Sequence, residues 1–129
     1  MVGDPVSTED LPQWLKLIVP YLENIAINYD GDSVSDIRYM LTEHIATLHI
    51  IGDVGFVILQ WGPGTCHIRA AHSFNTKPVN LSKVFNETVE YAKQFNCSKI
   101  SFTSDRKAFG RFARNNGMYV EAVTYARSI

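Results

Sequence analysis

The stretch from Leu81 to Met118 leaves this chain the fewest ways to fold. Val84, Phe85, Thr88, Val89, Ala92 and Phe95 recur at helical spacing, so an amphipathic helix is expected there. Asn96 ends it, being a residue type that tolerates the left-handed conformation. Lys99 to Thr103 then alternates polar and apolar, with Ile100 and Phe102 on one face, which is the period of a strand. Ser104-Asp105 offers an N-cap to a second helix whose stripe holds Phe109, Phe112 and Ala113. Gly117 stops that helix at the position where glycine is preferred. A strand between two such helices is the middle of an α/β layer, because each helix has one apolar stripe to bury.

The remaining residues have to be laid around that unit. Residues 1–9 are polar and read as a flexible lead-in or an extended arm. Ser7-Thr8-Glu9-Asp10 starts a helix in which Leu11, Trp14, Leu15, Ile18, Leu22 and Ile25 form the buried stripe. Pro20 falls inside it, which predicts a kink or a break near Val19. After a turn over Asn28–Asp32, Ser33 or Ser35 caps a second helix with Ile37, Met40, Leu41 and Ile45 inward and Glu43 and His44 solvated or near its end. The period then changes. Thr47–Ile51, Gly55–Trp61 and Thr65–Ser73 are three strands joined by a connection at Asp53 and by the Gly62-Pro63-Gly64 turn, an antiparallel meander. Cys66, Ile68 and Ala70 are expected on one face of the third strand and His67, Arg69 and Ala71 on the other. Tyr119–Ile129 alternates as a last strand. The order is α-α-β-β-β-α-β-α-β, an α/β (mixed α+β) chain with a mostly antiparallel central sheet flanked by helices, one domain over residues 10–129.

Composition narrows the function classes. The 129 residues carry 12 basic and 13 acidic side chains, so a phosphate-tracking nucleic-acid binder is not expected. Cys66 and Cys97 stand in no C-x-x-C pattern and read as reduced thiols packed as small hydrophobes. The start has no basic and apolar leader, and no run approaches the length of a membrane helix, so a soluble protein of a reducing compartment is expected. His44 and His49 lie across a helix-to-strand boundary with no third ligand at metal spacing, so no metal is expected. Asp30, Asp32 and Asp36 suit the capping of the second helix.

This order and these lengths resemble the GNAT superfamily of acyl-CoA N-acyltransferases over about residues 10–129. Ile51-Gly52-Asp53-Val54-Gly55-Phe56-Val57 looks like the family's first hairpin. Val84-Phe85 with Glu90 to Ile100 looks like its third helix and fifth strand, and Arg106 to Met118 like its fourth helix. The resemblance implies a CoA pyrophosphate held by a glycine-rich turn before the third helix. Here that turn is Thr76-Lys77-Pro78-Val79-Asn80-Leu81 and holds no glycine, while Pro78 has no amide proton to give. Thr76, Lys77 and Asn80 are left as cofactor-binding candidates. The family's tyrosine acid, four residues before the helix-ending glycine, corresponds to Ala113, and its asparagine at the helix start to Arg106. Where the family's base stands, near the fourth strand, this chain has His67, Arg69 and His72; His67 and His72 are the catalytic candidates by intrinsic pKa.

These departures favour a non-catalytic protein of that fold, with no cofactor, acting through contacts with other proteins. Arg106, Phe109, Arg111 and Gly117 resemble the fourth helix of short acetyltransferase-like proteins of tailed phages. That resemblance implies a virion or assembly component, partnered by virion proteins or by its own copies, in the host cytoplasm or the particle. Arg106, Arg111 and Arg114 are then either a solvated helix face or the partner-binding surface. Two alternatives stand beside it: an acetyl-CoA-dependent N-acetyltransferase with an atypical cofactor loop, and a phage inhibitor of a host protein.

Overall fold

The computed structural model describes residues 2–28, 32–74, 80–103, 107–120 and 127–128. Their order is α1 (Leu11–Asn28), α2 (Val34–Thr42), β1 (Ala46–Ile51), β2 (Gly55–Gly62), β3 (Thr65–Ser73), α3 (Leu81–Lys93), β4 (Lys99–Phe102) and α4 (Lys107–Asn115). The sheet runs β1-β2-β3-β4, with the first three strands antiparallel and β4 parallel to β3. The N-cap expected at Ser104-Asp105 and most of the strand expected over Tyr119–Ile129 lie outside the described residues; Tyr119 and Val120 are irregular and exposed.

Alternation along the strands splits the apolar side chains between two faces. Leu48, Phe56, Ile58 and Ala70 meet Leu15, Ile18 and Leu22 of α1 and Ile37, Met40 and Leu41 of α2. Ile51, Val57, Leu59 and Cys66 meet Val2 and, from α3, Tyr91 and Ala92. Phe112 ties α4 to α3 by packing edge-on against Phe85, centroids 5.6 Å apart. Burial pushes the Cys66 thiol up to about 12, so it sits there as a small hydrophobe beside the less buried Cys97.

Three expectations about the helices are corrected. The break expected near Val19 does not occur: α1 runs through Pro20, which lies on the exposed side, where a carbonyl left without its amide can bond water. Ile45 is not on the inner face of α2 but beyond its end and 38% exposed, because His44 has already left the helix with φ +59°. Phe95 is likewise past the last turn of α3 and 55% exposed, and Tyr91 fills the inward place. Helices α2, α3 and α4 end by one device. A residue at positive φ (His44, Asn96, Gly117) lets the next amide reach back to the last turn: Ile45 N to Met40 O, Cys97 N to Ala92 O, Met118 N to Ala113 O. Asn96 and Gly117 were expected in that place.

The stretch expected to lead in as an arm lies along the outer edge of β1. Val6 N donates to Leu48 O, and Val2 is 5% exposed. His49, fully buried on β1, completes this junction. Trp61 Nε1–H donates to Thr47 Oγ1, Thr47 Oγ1 is bonded to His49 Nε2 at 2.7 Å, and His49 Nδ1 is bonded to the Gly3 carbonyl at 2.9 Å. Desolvation holds its pKa below the ordinary 6.5, against smaller upward pulls from the Gly3 bond and Asp4. His67 is lowered as well. On acidification the unfolded chain therefore takes up protons before the folded one. Stability is full above about pH 6.5 and falls as pH drops toward the folded values. Urea midpoints measured across that range should decline, and His49→Gln should flatten the decline; an equal slope in the variant would show that His49 is not a source of it.

Candidate active site

β3 is interrupted where the sequence gives no sign of it. Ile58 faces Ala70 and Leu59 faces Ile68, so Arg69 is an extra residue, a β-bulge. One inserted residue reverses the alternation beyond it. Cys66 and Ile68 consequently pack toward α3, whereas Ala70 packs toward α1 and α2. The expected common face of Cys66, Ile68 and Ala70 is thus corrected: it switches sides at Arg69.

The bulge lies where the sheet opens. β4 pairs with β3 only from Thr65↔Lys99 to Ile68↔Phe102 and then ends. β3 continues from Arg69 to Ser73, bonded on its other side to β2, with no strand beside it on this side among the described residues. The result is a gap in strand pairing beside the end of β4, a cleft in the sheet whose one wall is the strand backbone of β3 beyond Ile68.

Polar side chains collect on the α1/α2 side of this opening. His67 and Ser101, register partners on β3 and β4, share a 2.7 Å hydrogen bond through His67 Nδ1. Arg69 Nη2–H donates to Asp32 Oδ1, just before the Ser33 cap of α2, at 3.1 Å. Arg69 Nε is buried with no hydrogen-bond partner among the described residues. His67 is held below the ordinary imidazole value, first by burial and then by the Arg69 charge, with Asp32 pulling the other way, so it is neutral at neutral pH.

The two candidate histidines have different surroundings. His72 Nδ1 meets the Ser73 carbonyl at 2.7 Å, so it carries the proton; Nε2 then accepts from Asn24 Nδ2 at 3.1 Å. Both nitrogens are engaged, and the ring packs 5.0 Å from Tyr21. His67 is bonded through Nδ1 and has no hydrogen bond at Nε2 among the described residues.

The cofactor candidates divide. Thr76 and Lys77 lie outside the described residues. Asn80 is the N-cap of α3, its Oδ1 accepting from Lys83 N at 3.0 Å, so its side chain already occupies one free amide of that helix start. The end of α4 lies across the same turn, Asn116 Nδ2–H donating to Ser82 Oγ at 3.3 Å. Ala113 is half-buried on that helix; Arg111 and Arg114 are exposed, and Arg106 lies outside the described residues. No group of three metal-ligating side chains occurs among the described residues. A shallow hollow of about 430 Å³ between α1 and the end of α2, lined by Leu11, Leu15, Arg38 and His44 among others, shares no residue with the cleft. No described helix is long and apolar enough to cross a membrane.

No family model and no curated protein matches the chain. Solved structures do. A probable acetyltransferase superposes with a TM-score of 0.67 at 14% identity, over 100% of this chain and 97% of its own. The aminoglycoside 6'-N-acetyltransferase AAC(6')-IG of Acinetobacter haemolyticus gives 0.58 at 16% identity, over 98% and 97%. AAC(6')-Iy, solved with the bisubstrate analogue CoA-S-monomethyl-acetylneamine, gives 0.56 at 12% identity, over 100% and 99%. At such identities the likeness is one of fold: the chain has the GNAT acetyltransferase fold, as its element order resembles.

Proposed function

We propose that the chain is an acetyl-CoA-dependent N-acyltransferase that takes its donor in the cleft between β3 and β4. The observation that carries this reading is the end of pairing at Ile68↔Phe102 while β3 runs on to Ser73. A strand edge of that kind presents N–H and C=O groups to any extended ligand bearing amides, as the pantetheine arm of CoA does. Acetyl-CoA would supply the activated acyl group. Beside it, the backbone of the bulge at Arg69 leaves the ladder, and an N–H outside a ladder is the donor type that stabilises a developing oxyanion. His67, neutral and with Nε2 free of hydrogen bonds among the described residues, would accept the proton of the attacking amine. The acetyltransferase neighbours, one solved with a CoA-linked analogue, support the same assignment.

A second reading, a non-catalytic protein of this fold working through protein contacts, is favoured by one observation: Ala113 stands on α4 where the resemblance puts a tyrosine acid. On that reading the exposed Arg111 and Arg114 are the surface to test. Calorimetric titration with acetyl-CoA and an assay for released CoA separate the two. Micromolar binding with amine-dependent CoA release supports the transferase; no binding at millimolar acetyl-CoA would leave the contact reading.

A further inference from the structure

Arg69 is poorly matched by the partners it has. A guanidinium binds a carboxylate best through two parallel N–H donors. Here Asp32 takes a single bond, from Nη2 at 3.1 Å, and the neighbouring Nε is buried without an acceptor among the described residues. Both side chains keep about a third of their surface in solvent, 31% and 29%, so the pair is open to exchange. A cation that is singly bonded, carries a bare donor and is partly exposed is readily recruited by a second carboxylate, since turning to meet it relieves the unpaired Nε. The residue also stands at the bulge, next but one to His67, the base of the proposed reaction.

We infer that Arg69 is the acceptor-binding residue for a carboxylate, and that the acceptor is an amine bearing one, such as an amino acid or the free end of a short peptide. The acceptor role rests on the transferase reading; the carboxylate binding does not. It also separates this chain from aminoglycoside acetylation, because a polycationic amine would be repelled by Arg69 and would find Asp32 already paired.

The test uses the full chain in amide NMR titrations with phenylalanine, glycylglycine, the amide of each, and neamine. At least one of the two acids should shift the Ile68–Ala71 amides saturably. It should bind at least about ten-fold tighter than its amide, the scale of one charge-assisted hydrogen bond. Neamine should bind more weakly still. Arg69→Gln should abolish the difference between acid and amide, and Asp32→Asn, which frees Arg69, should strengthen binding of the acid. Equal binding of acid and amide would overturn the assignment. So would tighter binding of neamine, or an unchanged preference in a folded Arg69→Gln variant. A carboxylate that binds with no CoA release from acetyl-CoA keeps Arg69 as its ligand and removes the transferase reading. CoA release with neamine but with neither acid does the reverse.

Discussion

Gly55→Ala is expected to melt roughly 12 °C below the parent chain, from a loss of about 3 kcal/mol in a domain of this size. Gly55 opens β2 opposite Ser73, at the closing end of the cleft-bearing strand. A Cβ there would lie 2.2 Å from the His72 carbonyl oxygen and 3.0 Å from Ser73 Cα. Both atoms are backbone, so no rotamer change removes the clash, and separating the strands would break the β2–β3 ladder. The β1–β2 turn is tied to the same place, with Phe74 N and Ser73 Oγ both donating to Val54 O. Gly52→Ala is the control: nothing lies within 4 Å of its Cβ, and only the positive φ is penalised, at about 1 kcal/mol. Thermal melts of the two variants should differ several-fold in their shifts; equal shifts would mean that Gly55 is not in close contact with β3.

His67→Gln is expected to lower acetyl transfer by about 10²–10⁴-fold, the usual contribution of a general base, with acetyl-CoA affinity unchanged. Glutamine is close to histidine in volume and still polar, but it has no basic nitrogen for the amine proton. The parent rate should hold through neutral pH and fall on acidification as His67 protonates, since its pKa lies below the ordinary value. His72→Gln should cost far less in rate, because both ring nitrogens of His72 are spent on Ser73 and Asn24. The assay is CoA release at saturating acetyl-CoA. A His67→Gln variant that is folded and turns over at the parent rate would remove His67 from the chemistry.

What could be read from the residues was whatever leaves a periodic mark. The segment around α3, β4 and α4 follows its apolar spacing, and Asn96 and Gly117 take the left-handed positions their residue types suggest. The meander followed from alternation and from Gly62-Pro63-Gly64, where Gly64 has φ +66°. The bulge did not, because bulges need no glycine or proline. The small Ala70 and Ala71 that follow the switch also fit either face. The role of His49 leaves no mark in the sequence, since a chain of hydrogen bonds from Trp61 through Thr47 to Gly3 exists only once β1, β2 and the N-terminal residues are brought together. Arg69 and Asp32 are far apart in sequence, and their meeting depends on the packing of α2 over the sheet.

The donor site is the centre of the account, and amide NMR during a titration with acetyl-CoA addresses it directly. The cleft reading predicts saturable shifts at Ile68–Ser73 on β3 and at Ser101–Thr103 at the end of β4, with β1 unmoved. Shifts confined to other elements, or none at millimolar acetyl-CoA, would contradict it.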